Sequence, residues 1–418
     1  MGVRLHMMNL FKIAARNLSR YKRRTVLTLS LIVVGVLFVT GFMAVTGSFK
    51  TMMVGQITDS FLGHLQIHRK GYVAAIETLP LTMNMKPRAV KTVETRLREI
   101  PDIEAYSMRI KFGGMFSNFL ETTNIRLNGI DPEKETKTVP LLLPRVMKGQ
   151  RSLSHGEILV PELLAKGMKV KVGDMVVVIA TNKDGSVNGK QLKVGGILES
   201  ATGPGGRDGY VHIEDAAEIL RMEEMEISEI AVRVKDFSGL QEVYHRLEAE
   251  LSGEQNKDGK PVFEVHTWEK LSPFYNIARM IDIMTFFIKL MLIAVVLISI
   301  MNVMIMAVYE RVREIGTIAA IGTLPRRILS MFLIEGFLLG AVGAAVGSLL
   351  SIVLVYGINL AEFTYDFSRQ TGIVLKTAVN LQDISVISGI VIAVAVVASL
   401  QPAFKASRMD PIQALGYV

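Results

Sequence analysis

The 418-residue chain has no cysteine and a single tryptophan. The absence of cysteine excludes disulfide bonds and thiolate metal ligands. No stretch matches the phosphate-loop pattern G-x-x-x-x-G-K-[S/T], so the sequence offers no motif for ATP hydrolysis. Ser154 and His155 are adjacent but have no third catalytic partner, and His64 and His68 lack a third metal ligand. The sequence therefore predicts a chain that is not an enzyme and that holds no metal or cofactor of its own.

Long apolar runs are what the chain has in abundance. Half of its residues are hydrophobic, and its mean hydropathy is +0.36. A helix needs about 20 apolar residues to cross about 30 Å of hydrocarbon. Four stretches reach or approach that length, and they predict membrane helices over residues 25–49, 283–308, 328–356 and 384–400.

The net charge of +8 is unevenly distributed. Residues 1–24, 310–327 and 401–418 hold thirteen Lys and Arg against three Asp and Glu, and the rest of the chain is slightly acidic. Basic residues next to membrane helices mark cytoplasmic segments, so both termini and the 310–327 loop are expected in the cytoplasm. This distribution leaves no basic patch for nucleic acid. We expect a multi-pass protein of the inner (plasma) membrane.

The segments outside the membrane differ in character. Residues 1–24 carry apolar side chains on one helical face, which predicts a cytoplasmic amphipathic helix in contact with membrane lipids. Residues 50–282 mix short strands and helices, which predicts a large α+β extracytoplasmic domain with a β-rich insert at about residues 140–226. Residues 357–383 are expected to form a short extracytoplasmic loop, and residues 401–418 a cytoplasmic tail.

The cytoplasmic loop at residues 309–327 combines charge with apolar residues at helical spacing. Two Arg–Glu pairs three residues apart can form salt bridges, and three isoleucines spaced by three make one apolar stripe. Two interpretations stay open: a short helix that docks in a partner's groove, or a solvated loop whose isoleucines rest on the bilayer. The candidate contact residues are Glu310, Arg311, Arg313, Glu314, Ile315, Gly316, Ile318, Ile321 and Gly322.

Polar and glycine residues stand out inside two predicted membrane helices. Glu335 lies about 12 Å inside the third span, where an ionisable side chain needs a partner. Asn302 lies at a similar depth in the second span, so we expect a Glu335–Asn302 contact that holds helices together rather than relaying protons. The glycines of the third span share one face and predict close approach of another helix. They are Gly336, Gly340, Gly343 and Gly347.

Several motifs resemble the FtsX-like permease family of ABC transporters, which includes MacB, LolC and LolE. They are E-R-V-R-E-I-G-T-I-A-A-I-G at 310–322, F-L-I-E-G-F-L-L-G at 332–340 and Q-P-A-F-K-A-S-R-M-D-P-I-Q-A-L at 401–415. The N-terminal A-R-N-L at 15–18 is similar to the family's first helix. The run G-H-L-Q-I-H at 63–68 is most similar to the lipoprotein-releasing LolC/LolE branch.

The resemblance implies a permease subunit that pairs with a second permease, identical or different, and with a separate ABC ATPase that binds ATP and Mg²⁺. Residues 310–322 would be the coupling helix that contacts the ATPase. The extracytoplasmic domain would comprise a porter-like part and the inserted β-rich subdomain. The implied function is mechanotransmission that releases lipoprotein from the inner membrane to a periplasmic acceptor. MacB-like export of peptides or hydrophobic small molecules, and FtsX-like signalling to a periplasmic hydrolase, are the alternatives.

Overall fold

The computed structural model describes residues 11–14, 16–200, 208–256, 259–362, 364–367, 370–374, 376–378 and 380–415. Parts of four predicted segments lie outside these residues: positions 1–10 and 15 of the amphipathic helix, positions 201–207 and 257–258 of the extracytoplasmic domain, positions 363, 368–369, 375 and 379 of the short extracytoplasmic loop, and positions 416–418 of the tail. Within the remainder of that N-terminal segment, residues 11–14 and 16–20 are helical.

The chain divides into two compact units. The membrane unit comprises the described parts of Met1–Lys50, Arg279–Tyr365 and Thr371–Val418, and the second unit, which we call the ectodomain, comprises mainly Thr51–Ala278. The helices are α1 (Lys22–Ile57), α2 (Pro87–Glu99), α3 (Pro132–Thr138), α4 (Glu162–Gly167), α5 (Ile213–Ile219), α6 (Leu240–Ser252), α7 (Trp268–Leu271), α8 (Tyr275–Glu310), α9 (Val312–Ala320), α10 (Pro325–Leu360), α11 (Leu381–Ser407) and α12 (Pro411–Leu415).

Four of these helices, α1, α8, α10 and α11, are long and apolar enough to cross a membrane. This confirms the four predicted membrane helices. Three of them have 36 residues and α11 has 27, so all extend past the apolar stretch from which they were predicted. Their ends follow local signals: Pro325 occupies the first turn of α10, and Asn380 caps α11 by accepting the N–H of Gln382 at 3.0 Å.

The core of the membrane unit is built from residues at helical spacing. Along α8, every fourth residue from Leu292 to Val308 is buried, and these side chains pack with Ile32 and Val36 of α1 and Phe332 of α10. Residues two positions away from this stripe point in nearly the opposite direction, because each residue turns the helix by about 100°. The buried stripe therefore shows which face of α8 points into the core of the membrane unit.

The ectodomain is organised around a ten-stranded sheet, with helices packed against it. Its strands follow the order β10-β1-β9-β2-β3-β8-β5-β7-β4, and β6 pairs with β2 and β7. The strands are β1 (Leu65–Arg69), β2 (Ile103–Ser117), β3 (Thr122–Ile130), β4 (Val146–Gly149), β5 (Glu157–Pro161), β6 (Met175–Thr181), β7 (Val187–Leu198), β8 (Gly209–His212), β9 (Glu229–Val234) and β10 (Phe263–Thr267); β11 (Thr364–Phe367) and β12 (Gln370–Val374) lie between α10 and α11.

The strands of the predicted insert, β4 to β8, are joined to the strands on either side of it in sequence. β8 pairs in parallel with β3, and β6 pairs antiparallel with β2. Backbone hydrogen bonds thus make one continuous sheet from both parts, and the predicted α+β character of the ectodomain is confirmed. The limits of the insert as a separate subdomain stay a prediction.

Candidate functional site: helix α9 and its joint to the third span

The segment predicted as a coupling helix begins with a break in the chain. Helix α8 ends at Glu310, Arg311 leaves the helical conformation with φ −119° and ψ 18°, and α9 begins at Val312. At the other end, Gly322 has φ +94°, a conformation that side chains with a Cβ rarely adopt. The short helix is therefore bounded by one irregular residue on each side, and Glu310 belongs to the preceding span.

Arg311 is the central residue of this joint. It is 4 % exposed, its Nη1 donates to Glu335 Oε1 at 3.1 Å, and its Nε donates to Glu314 Oε2 at 3.2 Å. The guanidinium also lies 5.8 Å from the ring centroid of Phe332. One buried cation therefore connects the junction before α9, the first turn of α9 and the interior of α10.

The predicted contact between Glu335 and Asn302 is wrong. Asn302 is exposed on α8, two residues from the buried Ile300 and Met304, and thus on the opposite face. Counting residues from the end of each span placed Glu335 and Asn302 at similar depths, but it did not show in which direction each side chain points. The break at Arg311 also turns a cation toward Glu335, which sequence spacing alone did not reveal.

The isoleucines predicted as one apolar stripe are divided between two environments. Ile315 is buried in the core of the membrane unit, whereas Ile318 is 37 % exposed and Ile321 is 80 % exposed. Helix α12 also packs against α9, and Ala414 of α12 is buried. Ile315 therefore anchors α9, and the prediction that Ile315 is a contact residue for a docking partner is wrong.

The remaining predicted residues surround this anchored face. Gly316 is buried beside Ile315, and Arg313 is exposed on the outer side of α9.

The N-terminal segment pairs with two acidic residues of the joint. Glu310 pairs with Arg24 at 2.9 Å, and Glu314 also pairs with Arg20 at 3.2 Å. The N-terminal segment is thus tied to both ends of the joint by contacts that span almost 300 positions of the sequence.

The last turns of helix α11 are tied to the same region. Lys405 Nζ donates to the hydroxyl of Tyr309 at 2.7 Å and lies 5.0 Å from the centroid of that ring. Sequence reasoning missed these contacts from both termini. The signal available for them was the density of Lys and Arg in residues 1–24, 310–327 and 401–418, which carries no information about pairing.

The glycines of α10 allow two other spans to approach closely. A Cβ added at Gly336 would lie 1.8 Å from Ser399 Oγ and 3.0 Å from the Ala395 carbonyl oxygen, both on α11. Gly340 also faces α11, whereas Gly343 and Gly347 face Ile32 and Val36 of α1. The single glycine face thus packs against two helices of the same chain.

Comparison with known proteins places these features in a family. Residues 25–250 match the MacB-like periplasmic core domain, and residues 286–411 match the FtsX-like permease C-terminal domain. The lipoprotein-releasing system transmembrane protein LolC of Xylella fastidiosa is 26% identical over 70% of this chain and 72% of its own length. LolC of Neisseria meningitidis is 24% identical over 72% of this chain and 75% of its own.

A second kind of relative matches nearly the whole chain. The probable export ATP-binding/permease protein MacB of Pseudomonas entomophila is 25% identical over 97% of this chain and 58% of its own length. The two family matches together cover both the ectodomain and the membrane unit. The chain therefore belongs to the FtsX-like family of ABC transporter permeases with a MacB-like periplasmic core.

Proposed function

We propose that the chain is the permease subunit of a transporter in which a separate ABC ATPase binds α9 from the cytoplasm. The observation that carries this proposal is the Arg311 joint. Because Arg311 bonds both Glu314 of α9 and Glu335 of α10, a displacement of α9 is transmitted to the third span. Ile318 and Ile321 supply exposed apolar surface for the docking partner.

A co-purification experiment tests the docking step. The tagged full chain would be solubilised from its own cells, and co-purifying proteins that contain a phosphate loop would be identified by mass spectrometry. Ile321→Asp places a charge on an 80 % exposed position and should abolish ATPase recovery while membrane insertion is retained. Leu360→Asp, at the opposite end of α10 and 75 % exposed, is the matched control. Equal ATPase recovery with both variants would refute docking at α9.

The proposal requires α9 to lie on the cytoplasmic side of the membrane, and cysteine labelling measures this directly. Since the chain has no cysteine, a single introduced cysteine is an unambiguous reporter. Leu324→Cys follows α9, and Val187→Cys lies in the ectodomain; both positions are at least 60 % exposed. In intact cells stripped of the outer membrane, an impermeant maleimide should label Val187→Cys only. Labelling of Leu324→Cys would place α9 on the wrong side of the bilayer.

We propose lipoprotein release as the leading function because two LolC proteins align with about 70% of the chain and about three quarters of their own length. Reconstituted complex, labelled lipoprotein and a soluble periplasmic acceptor should give ATP-dependent transfer. Export of a hydrophobic small molecule is the second candidate, favoured by the MacB relative that aligns with 97% of the chain. ATP-dependent loss of such a compound from vesicles, without lipoprotein transfer, would select export.

A further inference from the structure

One cluster of metal-binding side chain types lies in the ectodomain, outside the joint described above. His155, His212 and Glu214 each offer one ligand atom, and these atoms all lie within 4.8 Å of one another. His155 Nε2 is 2.7 Å from Glu214 Oε2, and the two imidazole ring centroids are 3.7 Å apart. Two imidazoles and a carboxylate at this separation match the donor set of a zinc site.

The sheet register explains how residues 57 positions apart in sequence meet. β5 and β8 pair antiparallel, with Ile158 opposite Val211 and Leu159 opposite Tyr210. Residues immediately before β5 therefore lie beside residues at the end of β8 and just beyond it. His155 lies two residues before β5, His212 is the last residue of β8, and Glu214 lies two residues beyond it. The same backbone pairing that builds the sheet thus holds the three side chains together.

A buried carboxylate lies close to one of the imidazoles. Asp215 is 2 % exposed, and its Oδ1 lies 3.6 Å from His155 Nδ1. Its position is fixed because it accepts the N–H of Gly156 at 2.7 Å and Lys190 Nζ at 2.7 Å. Metal-binding histidines usually donate one ring N–H to such a carboxylate and bind the metal through the other nitrogen, and at 3.6 Å Asp215 is near that arrangement but does not form the hydrogen bond. Here that other nitrogen is Nε2, which already faces Glu214.

The remaining groups allow an ion to enter. His212 Nδ1 accepts the N–H of Glu214 at 3.4 Å, a long hydrogen bond with which a metal can compete. The side chains of His155 and Glu214 are 56 % and 64 % exposed, so an approaching ion and its remaining water ligands have space. Hard cations such as Mg²⁺ and Ca²⁺ prefer sites made of oxygen ligands, whereas imidazole suits Zn²⁺ and its neighbours.

We propose that His155, His212 and Glu214 bind one borderline divalent transition-metal ion, represented by Zn²⁺, on the ectodomain, with Asp215 as the outer-shell carboxylate. The open coordination position would accept water or a donor atom from a bound partner. This inference rests on the ectodomain alone and stands independently of the transport function proposed above.

Calorimetric titration of the metal-stripped full chain in detergent with ZnCl₂ tests the proposal. Wild-type protein should bind one Zn²⁺ per chain in a saturable step that excess Mg²⁺ does not suppress. His155→Ala and Glu214→Gln should each weaken binding by at least about 10- to 100-fold, the loss expected for removing even an outer-shell partner. Both positions are exposed, so these variants should fold, and Trp268 fluorescence checks that they do.

His245→Ala is the matched control. This histidine also lies on the ectodomain, is 71 % exposed and has a carboxylate, Glu248, at 3.9 Å, but it is not part of the cluster. The His245→Ala variant should bind Zn²⁺ with the same affinity as the wild type. Absence of saturable binding to wild-type protein, or equal affinities for wild type, His155→Ala and Glu214→Gln, would overturn the proposal.

Discussion

Each of the two units buries an arginine between two glutamates, and the surroundings of these arginines differ. In the ectodomain, Arg109 bonds Glu135 at 2.6 Å and Glu229 at 2.8 Å, and all three side chains are at most 3 % exposed. In the membrane unit, Arg311 bonds Glu335, which is 2 % exposed, and Glu314, which is 43 % exposed. One arginine is enclosed on both sides, and the other has one partner open to solvent.

The difference indicates two uses of the same group. An enclosed ion pair cannot exchange its partners for water without exposing uncompensated charge, so it fixes local geometry. A pair with one exposed arm can lose that arm at small cost, because water replaces the bond. We therefore interpret Arg109 as a fixed element of the ectodomain framework and Arg311 as a joint that is held firmly by Glu335 of α10 and more loosely by Glu314 of α9.

The largest effect is expected from Arg109→Met. This substitution leaves Glu135 buried without its cation and Glu229 with Lys111 alone at 2.9 Å, and we expect a loss of about 3–5 kcal/mol in the free energy of unfolding. Thermal unfolding followed by fluorescence of Trp268 reports on the ectodomain specifically, because it is the single tryptophan of the chain and is buried there. Arg96→Met, which breaks the exposed pair with Glu99, is the control and should cost less than about 1 kcal/mol. Similar midpoints for the two variants would end the distinction between enclosed and open pairs.

Arg311→Met should have a smaller effect on stability, about 1–3 kcal/mol, because only Glu335 is left buried without a partner. The same substitution should abolish coupling, because it removes the link from α9 to α10. Stability would be measured as the folded fraction after heating in detergent, and coupling as cargo-stimulated ATP hydrolysis of the reconstituted complex.

The double variant Arg311→Met/Glu335→Leu separates these two roles. Removing both charges should restore stability toward that of the wild type, because no buried carboxylate is left without a partner. Coupling should remain lost. Recovery of both properties would show that the ion pair carries no movement from α9 to α10.

Acidification should weaken the enclosed ion pair of the ectodomain, because Glu229 loses its charge when it is protonated. Burial alone would raise the pKa of Glu229, but the neighbouring Lys111, His68 and Arg109 outweigh it and hold that pKa well below its usual range. A depressed pKa in the folded state means that the stabilisation is fully present above the unfolded pKa of about 4.3 and is lost as the pH falls through the folded pKa.

Ectodomain stability should therefore fall on acidification below about pH 4, with a contribution from this group of at most about 1.4 kcal/mol per pH unit. Trp268 unfolding midpoints measured between neutral pH and about pH 2.5 would record the slope. Glu229→Gln, which cannot titrate, should have a lower midpoint at neutral pH and a shallower slope. An unchanged slope would show that Glu229 does not contribute to the acid sensitivity.

The sequence predicted the features that depend on neighbouring residues and missed the contacts between residues that are far apart in the chain. Apolar length located the four membrane helices, and local spacing located the charged segment that contains α9. The partners of Arg311 and Glu310 could not be predicted in the same way, because Arg311 turns out of the helix and Arg24 is 286 positions from Glu310. His155 and His212 likewise meet only through the register of β5 with β8. Helical or strand period predicts which face a residue occupies, but not which other element covers that face.

The smallest effect is expected at the outermost contact of the joint, between Arg20 and Glu314. Their side chains are 68 % and 43 % exposed, so water and salt screen the pair, and Arg20→Ala should change stability by less than about 1 kcal/mol. Arg24→Ala is the matched comparison, because Arg24 pairs with Glu310 at 2.9 Å and is only 17 % exposed. We expect the heating assay in detergent to show a larger loss for Arg24→Ala, and raising the salt concentration to reduce the effect of Arg20→Ala further. If Arg20→Ala were instead as damaging as Arg311→Met, the exposed Arg20–Glu314 pair would stabilise the protein as much as the buried Arg311–Glu335 pair, and exposure would not distinguish firmly held contacts from loosely held ones.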